Sequence, residues 1–174
     1  MQSIFPGDFS VMVSPLINPF SWTPQTLPDP VGSIFVKSIR YGSADVLSEG
    51  LHLETHNPDQ RLQIILATGG NTEGVVTSER TEPMANVKVA LVPDFAYRKR
   101  DELYRTATTD TSGRFKMQGI APGDYRVLAW EEIADGAWQD ADVLREVDVR
   151  GKVVRIKEGE QTAVEVVAVP GGRQ

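Results

Sequence analysis

Short apolar runs that alternate with polar residues, each stopped by glycine or proline, restrict this chain to β-structure. Glycine contributes 15 residues and proline 11, spread along the whole length of 174. No stretch keeps the i, i+3, i+4, i+7 apolar spacing of an amphipathic helix for three turns, whereas period-two alternation between turn residues marks half-buried strands. The region 72–170 is clearest, with strands expected at 72–77, 86–92, 104–109, 114–118, 125–130, 152–156 and 162–169. Val87, Val89 and Leu91 share one face of their strand, with Asn86, Lys88 and Ala90 on the other. Phe115 and Met117 share a face, as do Tyr125, Val127 and Ala129. Asp110-Thr111-Ser112-Gly113 has the form of a tight hairpin turn with glycine at a positive φ. Residues 94–102 read as a charged surface excursion, and 131–146 as irregular or as a short helical excursion. Short strands at this spacing are those of a sandwich.

One phrase occurs twice. Met1, Gln2, Ile4, Pro6, Gly7, Asp8 and Val11 match Met117, Gln118, Ile120, Pro122, Gly123, Asp124 and Val127, and Phe9 stands where Tyr125 does. Self-similarity of this kind marks a repeated structural unit. The second copy lies well inside its unit and the first at residue 1, so the phase predicts that the chain opens within a domain. The expected organisation is the C-terminal half of a β-sandwich over 1–70, a complete sandwich over 71–170 and a tail at 171–174. In the first part, strands are expected at 9–13, 34–39 and 62–66, with a proline-rich loop at 18–30. A half sandwich exposes apolar residues such as Phe9, Val11, Ile34, Val36 and Ile64 together with open strand edges. Three arrangements relieve this: upstream strands belonging to the same protein, strands supplied by another copy, or packing against the second domain.

Charge and composition exclude several functions. The net charge of −6 opposes nucleic-acid binding, which selects basic faces. With no cysteine there is no disulfide, no thiolate nucleophile and no cysteine-ligated zinc. No apolar run approaches the length of a transmembrane helix.

Few residues suggest chemistry. His52, Glu54 and His56 would project from one face of a strand, where two histidines can ligate zinc, but Asn57-Pro58 follows directly and an exposed polar face is the simpler reading. Asp110, Thr111 and Ser112 have too few oxygen ligands for a calcium loop and suit the hairpin turn. Arg98-Lys99-Arg100 is followed by Asp101 and Glu102 and reads as a solvated, self-compensated loop. The most informative loop places Glu131, Glu132, Asp135, Asp140 and Asp142 around Trp130 and Trp138. Aromatic planes beside carboxylates suit a sugar-binding face, so Trp130, Trp138, Glu131, Asp135 and Asp140 form the candidate ligand site. The plainer reading has Trp130 continuing its strand and Trp138 folding back over the sandwich edge. No serine stands in a nucleophile-elbow context and no lysine follows Gly69-Gly70 as a phosphate loop requires, so no catalytic residue, metal ligand or cofactor is expected.

Residues 72–168 resemble the carboxypeptidase regulatory-like domain, a prealbumin-like β-sandwich. The resemblance is carried by Gly74-Val75-Val76, Asn86-Val87-Lys88-Val89, the hairpin from Thr109 to Phe115, and the run from Ile120 to Val127. The stretch 78–85 departs from the family, which has an Asp/Gly-rich turn and a proline-glycine pair there. The resemblance implies an all-β chain: a prealbumin-like Greek-key β-sandwich preceded by a partial one. It also implies a non-catalytic accessory module of a larger exported or surface-associated bacterial protein, extracellular, cell-surface or periplasmic. Its partners would be other domains of the same polypeptide or copies of itself, with self-assembly through the partial domain. The alternative it leaves open is a carbohydrate- or ligand-binding module using the Trp130/Trp138 loop. An accessory domain of a metallopeptidase is a third, for which these residues supply no zinc site.

Overall fold

The computed structural model describes residues 7–9, 11, 34–53 and 60–170. Residues 1–6, the loop at 18–30, Glu54, His56 and the tail at 171–174 lie outside the described residues, so expectations resting on them do too. The chain forms two compact units, Met1–Ala67 and Thr68–Gln174.

In the first unit, β1 (Gly7–Phe9) pairs antiparallel with β4 (Leu51–Leu53), setting Asp8 opposite His52. A second sheet contains β2 (Ile34–Tyr41), β3 (Ala44–Asp45) and β5 (Leu62–Thr68) in the order β3-β2-β5. Gly42, at φ 60°, makes the reversal between β2 and β3. The single turn α1 (Val46–Glu49) is capped by Asp45, whose carboxylate accepts from the Leu47 amide at 3.1 Å. Ile39 and Val46 are buried. Strands β3 and β4 and helix α1 were not expected from the sequence. All three are too short to carry a period of their own.

The second unit is an all-β sandwich. Its strands are β6 (Gly70–Thr77), β7 (Lys88–Pro93), β8 (Arg105–Thr108), β9 (Arg114–Ile120), β10 (Gly123–Trp130), β11 (Lys152–Ile156) and β12 (Gln161–Val167). One sheet runs β11-β10-β7-β8 and the other β12-β6-β9. Every pairing is antiparallel except β12 on β6, which is parallel in the register Val164↔Gly74. The first core lies between the sheets, where Val89, Leu91, Val127, Phe115, Met117, Val76 and Val166 meet. Alternation on β7, β9 and β10 therefore points as the sequence indicates. Proline 93 ends β7 as its last residue.

Close approach explains Gly74. A Cβ there would lie 2.0 Å from the Val164 carbonyl oxygen and 2.9 Å from the Phe115 ring, so no side chain fits between β12 and β9. Two buried hydroxyls secure the edges of this core. Thr72 donates to the Thr162 carbonyl at 3.0 Å, and Thr109 accepts from the Val87 amide at 2.9 Å while donating to the Met84 carbonyl at 2.7 Å.

A second core covers the opposite face of β7 and β10. Ala90, Val92, Tyr104, Leu128, Trp130 and Leu144 are buried there, with Ile133, Trp138 and Val147 packed against them. Ala90 lies on the face of β7 opposite Val89 and Leu91, so the strand is buried on both faces. Leu144, from helix α2 (Ala141–Val147), is fully buried at 0% exposure. Leu144→Ala should therefore destabilise the unit by about 2–5 kcal/mol in urea titration. A loss below about 1 kcal/mol would show that the helix is not part of the fold.

Candidate functional site

The excursion between β10 and β11 is ordered by its own polar residues. Trp130 ends β10 and forms a parallel bridge with Val169, whose amide donates to the Ala129 carbonyl at 2.7 Å. A 3-10 turn at Ala137–Gln139 carries Trp138 back over the sheet. Asp140 then caps α2, its carboxylate accepting from the amides of Asp142 at 2.8 Å and Val143 at 3.2 Å. Asp148 closes the excursion with Arg98, and Arg126 lies 3.5 Å from the same carboxylate.

The residues of the candidate ligand site fall in different surroundings. Trp130 is only 4% exposed, because the second core takes its ring. Trp138 packs against that core, and the Lys88 ammonium lies 5.2 Å from its ring centroid. Asp140 is spent on the helix cap. Glu131 and Asp135 are exposed. The structure thus brings Trp130 and Trp138 together, but as packing, with no open aromatic plane at Trp130.

The other candidates resolve locally. Asp110 accepts from the amides of Ser112 at 2.8 Å and Arg114 at 2.9 Å, and Gly113 has φ 72°, which is the hairpin turn expected. Arg100 pairs with Glu102 at 2.7 Å, whereas Arg98 reaches Asp148 and so ties the 94–102 excursion to the next one. His52 Nδ1 meets the Asp8 carboxylate across β1 and β4. Among the described residues no group of three or more His, Asp or Glu side chains is placed to hold a metal ion. No helix among them is long and apolar enough to cross a membrane.

Among the described residues the surface of the second unit carries a larger and a smaller depression. The larger, about 600 Å³, is a shallow trough on the outer face of β12-β6-β9, walled by Glu165 on β12, Glu73 on β6, and Arg114 and Lys116 on β9, with Val75 and Ala163 in its floor. These positions alternate with core residues, so they are visible in the sequence only once the three strands are paired. The smaller, about 380 Å³, lies between Asp94, Tyr97, Leu103, Asp124 and Tyr125. Arg155 grips the Asp124 carboxylate at 2.7 and 2.9 Å and holds its pKa below the usual carboxylate value. Tyr125 is 3% exposed and donates to the Ala121 carbonyl at 2.8 Å.

Residues 68–165 match the family described as BOS complex subunit NOMO1-like, second beta sandwich domain. The chain belongs to this family. The match begins where the second compact unit begins, at Thr68, and the domain has the carboxypeptidase regulatory-like fold. No curated protein matches the chain. Solved structures show looser likeness. The Bacillus anthracis TIE protein shares 15% identity at a TM-score of 0.38, over 62% of this chain and 19% of that one. A Pseudomonas aeruginosa protein described as a candidate carbohydrate binding protein shares 20% at 0.35, over 57% and 88%. BcpA, the major pilin subunit of Bacillus cereus, shares 12% at 0.37, over 62% and 31%. The chain thus spans about a fifth of the first and a third of the last. Likeness at this level carries no function across.

Burial pushes the Tyr125 phenol up to about 12, against the pull of Arg105 and Arg100. A phenol whose folded pKa exceeds its unfolded value of 10.0 contributes stability that is fully present below pH 10 and lost as pH rises through about 12. Unfolding free energy should fall by about 1.4 kcal/mol per pH unit across that window. In Tyr125→Phe that slope should be reduced, the remainder coming from the buried Tyr104 phenol, as measured by urea titration at a series of pH values. An unchanged slope would contradict the assignment.

Proposed function

We propose that the chain is a non-catalytic structural and interaction module, whose work is to dock neighbouring domains. The observation that carries this reading is strand β5. Among the described residues it stands at the edge of its sheet, in the order β3-β2-β5, and it is apolar on both faces. Leu62, Ile64 and Leu66 on one face are 42%, 42% and 49% exposed, and Ile65 on the other is 41% exposed. An apolar edge strand with open backbone groups is a template for a further strand and is unfavourable when left in water. Another copy of the chain or another domain of the same polypeptide supplies the covering strand.

Three further points support a binding rather than a catalytic role. The two cores of the second unit are built from buried apolar side chains. The carboxylates of Asp110 and Asp140 are engaged by backbone amides. The family name itself describes subunits of a complex. The wider setting, a larger exported or surface-associated bacterial protein, is supported by the family resemblance of the sequence.

Sedimentation velocity over a wide concentration range tests the reading. Species larger than one chain should grow with concentration, and Ile64→Lys, which places a charge on the β5 face, should weaken that growth at least tenfold in apparent dissociation constant. A wild-type chain that stays monomeric throughout would contradict cover by another copy.

A further inference from the structure

We infer that the outer face of the β12-β6-β9 sheet is a second docking surface, and that its partner is the same face of another copy of this chain. This goes beyond the β5 edge, which lies in the other unit. The argument starts from register. Strand pairing puts Glu165, Val75 and Arg114 in one row across the sheet, and Ala163, Glu73 and Lys116 in the next. In the first row acid stands on β12 and base on β9, with the short Val75 side chain between them; in the second row the acid is on the central strand β6, and Asp110 also lines the trough at the β9 side. Glu73, Arg114, Lys116 and Glu165 are all exposed. None of the four enters an ion pair among the described residues.

The Glu165–Val75–Arg114 row, with opposite charges at its two ends, complements itself. A two-fold axis running along β6 turns one copy over onto the other, so that β12 of each lies across β9 of its partner. Glu165 then meets the second copy's Arg114, Arg114 meets the second copy's Glu165, and the two Val75 side chains meet at the axis. Glu73 also falls near the axis, where its registered neighbour Lys116 offsets the like charge. Such an arrangement is isologous and closes at two copies. Three strands spaced by roughly 4.8 Å present a small patch, so the buried area falls on the order of 1,000 Å², at the low end for specific interfaces. The dimer is accordingly weak, and its charged contacts are sensitive to salt.

The geometry gives a charge-exchange test on the full chain, read by sedimentation velocity and by equilibrium dissociation constant. Glu165→Arg leaves the face wholly basic along that row, and Arg114→Glu leaves it wholly acidic. Each single variant should lose at least tenfold in self-association through this face. An equimolar mixture of the two should recover it, because both cross-contacts are then complementary, and so should the double variant Glu165→Arg/Arg114→Glu. Raising salt from about 50 to about 500 mM should weaken the wild-type contact and the mixed contact alike. All four residues are exposed, so the variants should keep the wild-type urea midpoint, which confirms that the fold is intact. Single variants that associate like wild type, or a mixture that fails to recover, would overturn the inference. If the single variants do associate like wild type and only Ile64→Lys reduces association, this face is not the surface and the β5 reading stands. If the charge exchange behaves as expected while Ile64→Lys has no effect, the reverse holds.

Discussion

Strands β7 and β10 pair from Tyr125 opposite Pro93 to Trp130 opposite Lys88, and their apolar residues are buried on both faces. Val89, Leu91, Val127 and Ala129 face the other sheet. Ala90, Val92, Leu128 and Trp130 face the excursion that follows β10. A two-sheet sandwich covers only one face of each sheet, so this central pair requires a third layer. Helix α2 and the 3-10 turn before it supply that layer, through Leu144 and Trp138. The Asp140 cap and the Asp148 pairing with Arg98 hold the layer in place.

That requirement decides which surfaces remain for function. Where a loop of tryptophans and carboxylates suggests recognition, the physical demand is for cover, and the tryptophans meet it. The other sheet has no comparable layer among the described residues. Its outward face mixes Glu73, Arg114, Lys116 and Glu165 with the smaller Val75 and Ala163. In the first unit the same logic runs in the opposite direction, since β5 carries apolar residues on both faces at 41–49% exposure. One unit thus offers an apolar edge and the other a charged face. Both suit association.

Much of the fold was legible in the sequence, because alternation and turn chemistry are local. The hairpin at Asp110–Gly113, strand β11 and the inward face of β7 follow from residue order alone. The second core was not legible as such. On β10 the run Val127-Leu128-Ala129-Trp130 is apolar at every position, which signals burial on both faces, yet alternation reads only one of them. The partner of that second face, Leu144, lies in a seven-residue helix too short to show a helical period. Two readings of Trp130 and Asp140 therefore stood open in the sequence, and the structure places Trp130 in the second core and Asp140 at the cap of α2. The trough on β12-β6-β9 depends on a parallel pairing between residues some ninety positions apart, as in Thr72 and Thr162, and no local pattern reports it.

Hydrogen–deuterium exchange of the full chain tests most directly whether the excursion is part of the fold rather than a free loop. The Leu144 amide donates to the Asp140 carbonyl at 3.0 Å over a buried side chain. Its protection should match that of the β10 amides, because both open only when the unit unfolds as a whole. Exchange of Leu144 at the rate of an exposed loop, with β10 still protected, would mean that the third layer detaches on its own. The tryptophan loop would then be available to a ligand after all.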